Sequence, residues 1–307
     1  MTTRPPVLTS NEIPSWEPEG DFYGVVGWPV GHSLSPILHQ VALDALGIPA
    51  KYFAFEISAE DLPRLLPILA AKGAKGLNLT APHKQIVLPY LTGLSDIAQQ
   101  ARAANTVSFL PGGEIYGHNT DALGFSRAIR EVFMLDLRGL RVLILGAGGA
   151  ARAVALQCVL EDADEVVIVN RTFEKAHEII QEMKKIRVST RLLGPQEPLR
   201  AVPLEVELVR QVLDHIDLVV NCTTLGMKTG DASPLPQRCF QPHHMVFDTI
   251  YCPTRTPLIR EASQAGARVA NGLSMLLHQA ALSFEFWFAR EAPIEVMRTA
   301  LKGALGM

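Results

Sequence analysis

Cysteine is scarce. The 307 residues contain four, Cys158, Cys222, Cys239 and Cys252, scattered and without a C-x-x-C pair. That spacing speaks against a disulfide framework or a cysteine zinc site and fits reduced thiols in a cytosol. Long apolar runs are missing: no stretch approaches the roughly 18 residues of a membrane span. The N-terminus also lacks the charged-then-apolar pattern of a secretory signal. There is no excess of positive charge. The formal net charge is −3 and the pI near 6.3, which leaves no electrostatic reason to expect nucleic acid or an anionic membrane as partner. None of the nine histidines stands in H-E-x-x-H or another metal spacing, so no metal is expected. G-x-S-x-G and G-x-x-x-x-G-K-[ST] are absent, which removes the commonest hydrolase and nucleotidase chemistries. Fixed-period repeats and low-complexity tracts are absent as well.

What remains is a globular composition, 48% hydrophobic and 19% charged, long enough for two domains. Residues 1 to about 20, with Pro5, Pro6, Pro14 and Pro18, read as an irregular leader docked through Trp16. Strands are expected at Phe22–Gly27, Tyr52–Ile57 and Gly76–Thr80, separated by helices that begin at Ser35-Pro36 and Ala59. Serine before proline suits an N-cap followed by the first helical position, and Gly47 can end that helix. A second alternation follows Asp121. It has strands at Leu140–Leu145, Val166–Asn170, Leu218–Asn221, Met245–Thr249 and Arg268–Ala270, and helices at Ala122–Phe133, Ala150–Leu160 and Phe173–Lys184. Ser274–Arg290 and Pro293–Leu305 read as closing helices, and about 186–210 is too weakly periodic to place. Strand and helix in repeated alternation argue for parallel βαβ units. Phe284, Phe286, Trp287 and Phe288 read as core packing, and His243-His244 as a polar surface pair.

The glycine-rich turn Gly146-Ala147-Gly148-Gly149-Ala150 lies directly after a buried strand and opens a helix. Such a turn lets backbone N–H groups approach a pyrophosphate at a helix N-terminus. A purely structural turn is the alternative, and the spacing departs from G-x-G-x-x-G. The next strand ends Asn170-Arg171-Thr172. No acidic residue stands there for a ribose 2′-hydroxyl; Arg171, Thr172 and Lys175 instead offer charge and hydrogen bonds to a 2′-phosphate. Lys84 follows a strand end in Asn78-Leu79-Thr80-Ala81-Pro82-His83-Lys84, and Asp121 closes His118-Asn119-Thr120-Asp121. Each alone would be an ordinary surface charge. As a pair they fit alcohol–ketone chemistry, the ammonium giving a proton to a developing alkoxide and the aspartate orienting it. Ser33 and Ser35 flank a helix start and could hold a carboxylate, Ser35 also serving as the cap.

Together these segments resemble the shikimate dehydrogenase family. The likeness also includes Gly31-His32-Ser33-Leu34-Ser35-Pro36, Ala104-Asn105-Thr106 and the run Asn271 to Ala280, and extends over nearly the whole chain after the leader. It implies an NADP-dependent oxidoreductase that reversibly reduces 3-dehydroshikimate to shikimate in aromatic amino-acid (chorismate) biosynthesis, in the cytoplasm. The implied fold is α/β in two domains. A substrate domain with a parallel-rich sheet would span residues 1–121 and 272–307, and a doubly wound, Rossmann-type NADP domain 122–271, with the active site in the cleft between them. The implied catalytic pair is Lys84 and Asp121. Ser33, Ser35 and Tyr251 would hold the substrate carboxylate, and Thr80, Asn105, Asp121 and Gln279 its ring hydroxyls. Gly146, Ala147, Gly148, Gly149 and Ala150 would bind the pyrophosphate, Asn170, Arg171, Thr172 and Lys175 the adenosine phosphate side, and Thr249 and Gly272 the nicotinamide. Asp96 matches a cofactor contact of some relatives. A homodimer is compatible with the likeness.

Three positions depart from the family pattern. Ala122 replaces a glycine, which stiffens a hinge; His83 brings a titratable ring beside Lys84; Lys175 replaces an arginine, which weakens bidentate phosphate recognition. A quinate/shikimate dehydrogenase using NAD or NADP is the nearest rival, since Leu34 between the serines occurs in several such relatives. A non-catalytic ligand sensor is the rival from another class, and retention of both Lys84 and Asp121 argues against it.

Overall fold

The computed structural model describes residues 6–186 and 198–307. The first five residues of the expected leader, Pro5 included, and residues 187–197 of the unplaced stretch lie outside them. The chain divides into two compact units, one made of residues up to Gly124 together with Leu277–Met307, the other of Phe125–Leu276.

The first unit begins β1 (Val7–Thr9), β2 (Asp21–Gly27), α1 (Ser35–Ala45), β3 (Ala50–Glu56), α2 (Leu62–Ala71), β4 (Ala74–Leu79), α3 (His83–Ile86), β5 (Gly93–Leu94), α4 (Asp96–Ala101), β6 (Thr106–Phe109) and β7 (Ile115–His118). Its sheet has the order β1-β3-β2-β4-β6-β7-β5. β1, β3, β2 and β4 run parallel, as the alternation predicts. β6 departs from it, pairing antiparallel with both β4 and β7. The reason is local: Gly112 and Gly113, both at positive φ, close a short loop that permits a hairpin and no crossover. β2 is buried at every position after Asp21, so it reads as a continuous apolar run rather than an alternation. The leader is not irregular throughout. Val7–Thr9 adds a parallel strand to β3, with Val7 opposite Ala54, a pairing too short to leave a periodic trace in sequence. Trp16 does dock it, edge-on to Phe22, Phe53 and Phe55 at ring distances of 5.0, 4.9 and 5.6 Å.

α5 (Asp121–Phe133) leads into the second unit, followed by β8 (Arg141–Leu145), α6 (Gly149–Leu160), β9 (Glu165–Asn170), α7 (Phe173–Ile186), β10 (Leu199–Pro203), α8 (Val206–Leu213), β11 (Leu218–Asn221), β12 (Met245–Asp248), α9 (Pro257–Gln264) and β13 (Arg268–Asn271). The chain then returns through α10 (Leu273–Phe288) and α11 (Ile294–Ala304). The second sheet is parallel throughout, in the order β10-β9-β8-β11-β12-β13. Strand order reverses between β8 and β11, the topological switch point at which doubly wound sheets bind dinucleotides. Leu143, Leu145, Val167, Val169, Val219 and Val246 supply its core from adjacent strands. β10 and α8 fall in the stretch that periodicity could not place. His244 is not a surface residue. It is fully buried, accepting from the Gln241 N–H through Nδ1 (3.0 Å) and meeting the Leu213 carbonyl through Nε2 (2.9 Å).

No helix among the described residues is long and apolar enough to cross a membrane, and no cluster of His, Cys, Asp or Glu among them could hold a metal ion.

Candidate active site

β4 ends at Leu79 and the chain turns into the single turn of α3, which carries Lys84. The backbone there is pinned from several sides. Thr80 N–H donates to Val26, His83 N–H to Thr80, and Ala104 N–H to the Lys84 carbonyl, at 2.9, 2.8 and 2.8 Å. Asp121 is the first residue of α5, where the Asn119 side chain accepts from the Ala122 N–H at 3.2 Å and donates to the Ala103 carbonyl at 2.9 Å. These two segments bring Lys84 Nζ to 2.7 Å from Asp121 Oδ2, with the side chains only 18% and 5% exposed. Burying an ion pair this deeply costs desolvation that its Coulomb attraction barely offsets, so stability is a poor reason for it. A proton donor held at a fixed atom is a better one.

Asp121 has a second partner. Its Oδ1 accepts from Asn105 Nδ2 at 3.0 Å, and the same amide lies 3.4 Å from Gln279 Oε1. Gln279 is brought in by a close helix contact, because a side chain at Gly124 would sit 2.9–3.1 Å from the Gln279 backbone and Cβ. Thr80 is held beside β2 in a similar way: a Cβ on Gly27 would meet its methyl at 2.4 Å. The His83 ring, next in sequence to Lys84, is fully buried with Nε2 2.8 Å from the Ile57 carbonyl, and burial lowers its pKa, which disfavours the charged form.

Ser33 and Ser35 are both buried, but Ser35 is not the cap. It is the first helical residue of α1 after Leu34, whose backbone is already helical, and no side chain caps the helix. Ser33 is the one tied to the helix start: its Oγ accepts from the Ser35 N–H at 3.2 Å. Asp96 opens α4, exposed, one residue after its cap Ser95.

In the second unit the glycine turn lies at the end of β8, at the switch point. Gly146 has φ +106°, and a Cβ on it would press on Cys222 and Thr223 at 3.1 Å. Gly148 caps α6, is exposed, and has nothing within 4 Å of where its Cβ would be. At the end of β9, Asn170 is tied to the Thr172 carbonyl (2.9 Å) while Arg171, Thr172 and Lys175 are exposed. Gly272 packs on the backbone of Thr249 so closely that a Cβ would sit 2.1 Å from its carbonyl oxygen. Thr249 in turn donates through Oγ1 to the Asn221 carbonyl at 2.8 Å. Tyr251 follows two residues on, half-buried.

Three family models match segments of the chain: the shikimate dehydrogenase substrate binding domain over residues 25–107, shikimate / quinate 5-dehydrogenase over 128–225, and the shikimate 5'-dehydrogenase C-terminal domain over 272–302. The NADP(+) shikimate dehydrogenase of Methanopyrus kandleri is 41% identical over 290 residues, covering 94% of this chain and 97% of that protein. The chain belongs to the shikimate dehydrogenase family. Among solved structures, the Thermus thermophilus shikimate 5-dehydrogenase in complex with NADP(H) and shikimate is 36% identical with a TM-score of 0.79, covering 93% of this chain and 100% of that one. The quinate dehydrogenase of Corynebacterium glutamicum in complex with NAD is 28% identical with a TM-score of 0.80, covering 94% and 100%.

Sequence reading missed one buried carboxylate of the second unit outright. Asp248, at the end of β12, is fully buried. Its Oδ1 accepts from Asn221 Nδ2 (2.9 Å) and the Ile250 N–H (3.1 Å), and its Oδ2 from Thr256 Oγ1 (2.6 Å). Burial raises its pKa to about 6, the three hydrogen bonds only partly opposing the rise. It braces the loop that carries Thr249 and Tyr251. A lone acid after an apolar strand, followed eight residues later by Thr-Pro at a helix start, is the signal that could have found it.

Proposed function

We propose that the chain is an NADP-dependent shikimate dehydrogenase, catalysing the reversible reduction of 3-dehydroshikimate to shikimate in the cytoplasm as a step of chorismate biosynthesis. The observation that carries the reading is the buried ion pair of Lys84 and Asp121 at 2.7 Å in a chain whose relatives are named for that activity. Lys84 gives its proton to the alkoxide that forms as the ketone is reduced, and takes it back in the oxidation of shikimate. Asp121 holds the ammonium in place by accepting from Nζ. Asn105, Thr80, Asp121 and Gln279 bind ring hydroxyls, and Ser33, Ser35 and Tyr251 the carboxylate.

The residues of the second unit fit NADP. The open space above Gly148 admits a pyrophosphate against the N-terminus of α6, and the exposed Arg171, Thr172 and Lys175 suit a 2′-phosphate. Thr249 and Gly272 line the nicotinamide side, and Asp96 is a further cofactor contact. When bound, the cofactor supplies or accepts the hydride. The unit ending at Gly124 and resuming at Leu277 acts as the substrate-binding domain and the unit between as the cofactor domain. A homodimer is the assembly to test, by light scattering.

Initial rates with shikimate and with quinate, each with NADP and NAD, test the reading. Shikimate with NADP should give the highest kcat/KM. A preference for quinate or NAD would favour the second reading, quinate dehydrogenase, which the middle family model's description and the Corynebacterium structure keep in view. Binding without turnover would leave a ligand sensor.

A further inference from the structure

Behind the Lys84–Asp121 pair lies a layer of buried side chains that the proposed chemistry does not use. Tyr52 of β3, Asn78 of β4, Thr106 of β6, Thr120 before α5 and Ser283 of α10 are each 5% exposed or less. Each would be costly to bury without a hydrogen-bond partner, and together they satisfy one another. Asn78 Nδ2 reaches Ser283 Oγ at 3.0 Å, Thr106 Oγ1 at 3.2 Å and the Asn105 carbonyl at 3.2 Å. Ser283 Oγ is 2.8 Å from Thr106 Oγ1 and 3.1 Å from Thr120 Oγ1.

The two amides of the layer can be oriented in only one sense, because their outer partners are obligate. The Thr120 N–H can only donate, and it meets Asn105 Oδ1 at 2.8 Å; the Asp121 carboxylate can only accept, and it meets Asn105 Nδ2. That sets the Asn105 amide. The Asn105 carbonyl can only accept, so it takes an N–H from Asn78, and Asn78 Oδ1 must face the Tyr52 hydroxyl at 2.7 Å. Tyr52 therefore donates; burial raises its pKa well above the ordinary phenol value and keeps it protonated. The Tyr52 ring is held in turn by His39, stacked 4.4 Å away and nearly parallel. Contacts thus run from Tyr52 through Asn78, Ser283 and Thr106 to Asn105, whose amide donates to the Asp121 carboxylate that also accepts from Lys84.

We propose that Tyr52, Asn78 and Ser283 are positioning residues for the reaction: through Asn105 they set the orientation of the Asp121 carboxylate and with it the place of the Lys84 ammonium. This rests on the dehydrogenase reading. Ser283 is the hub, and Tyr52 the far end, where a substitution is remote from any group that touches substrate.

The test uses the full-length protein with Ser283→Ala and Tyr52→Phe. The second removes only a hydroxyl and keeps the ring, so it remains informative if the first fails to fold. NADP affinity and melting temperature report integrity, and kcat against KM in shikimate oxidation reports position. We expect each variant to keep NADP affinity and to lose kcat roughly five- to thirtyfold, the worth of one or two net hydrogen bonds. With Asn105 loosened, Asp121 loses a donor and the Lys84 ammonium its fixed place, so the loss should fall on kcat while KM for shikimate changes far less. A lowered melting temperature with kcat unmoved would make the layer structural packing and overturn the proposal. A wild-type enzyme inactive on shikimate would overturn the dehydrogenase reading, and this proposal with it; an active wild type with unmoved variants overturns the proposal alone.

Discussion

The two units build their candidate sites from different materials. In the first, the carboxylate that meets Lys84 is gripped largely by other side chains: Asp121 by Asn105, Asn105 by Thr120 and Thr106. In the second, glycines take the place of gripping side chains: Gly146 and Gly272 are buried against neighbouring backbone, and Gly148 stands exposed with open space beside it. The difference follows from the two tasks. Moving a proton requires a titratable atom at one place, and a neutral buried scaffold can hold it there. Cradling a pyrophosphate requires N–H groups and close approach, for which a missing Cβ is the main provision.

Lys84→Ala is the largest break in that contrast. It removes the proton donor and leaves the second unit untouched. Turnover should fall by about 10²–10⁴-fold, while NADP affinity stays and shikimate binding changes far less. Steady-state kinetics with a binding titration of each ligand decide it, and a variant with near-normal turnover would take lysine out of the mechanism.

A second break works on the backbone side. An alanine at Gly148 meets nothing within 4 Å, and the residue's φ of −92° suits alanine. The fold should therefore keep its melting temperature or gain slightly, by about 0.4–1 kcal/mol through the unfolded chain. If a pyrophosphate rests there, the added methyl should weaken NADP roughly five- to 150-fold, the range of overpacking by about 1–3 kcal/mol. Unchanged NADP affinity would move the pyrophosphate away from this turn.

How far the sequence revealed each unit tracks the same contrast. The second unit's strands are largely buried, so Leu218–Asn221 and its neighbours read as plain apolar runs, and their parallel pairing followed from βαβ alternation. In the first unit, residues 83–118 went unread. β5 has two residues, α3 is one turn, and β6 and β7 are held by pairings far away in sequence. Motif resemblance found Lys84, Asp121 and Asn105. It could not find Ser283, because a serine inside an apolar helix ordinarily bonds its own backbone, as this one also does to Gln279.

Asp248 and Asp121 are both buried carboxylates, and they differ in partner. Asp121 faces an ammonium; Asp248 faces only neutral groups and suffers desolvation without a counter-charge. In the unfolded chain its carboxyl ionises near 3.8, and in the folded protein near 6. Folding then takes up a proton between those values, so this group's contribution to stability falls as pH rises from about 4 to 6 and is flat above. Asp248→Asn keeps an acceptor for Asn221 and Ile250 and offers Thr256 an N–H. It should remove that slope and raise stability above pH 6 relative to wild type by at most about 3 kcal/mol, for about two pKa units, seen as a higher melting temperature. Melting curves between pH 4 and 8 measure it. Parallel curves for the two proteins would mean that Asp248 is ionised in the folded state across the range.

The smallest effect contrasts two serines of the first unit. Sequence spacing assigns the helix cap to Ser35, because Ser-Pro suits cap and first helical position. The same dipeptide also suits the first and second helical positions, and that is how α1 uses it. Ser33 holds the helix start through the Ser35 N–H. Ser33→Ala should therefore lower stability by about 0.5–1.5 kcal/mol, a net hydrogen bond, while Ser35→Ala should stay within roughly 0.5 kcal/mol, since alanine is the better helix former. The carboxylate of shikimate separates this from binding. If both hydroxyls touch it, both variants should raise KM, and neither penalty should appear with an analogue that lacks the carboxylate. A Ser33 penalty equal on both compounds would mean that the loop has shifted and that Ser33 shapes the site without touching the acid. A Ser35 variant that melts well below wild type would show that its hydroxyl supports the helix through a contact other than the cap.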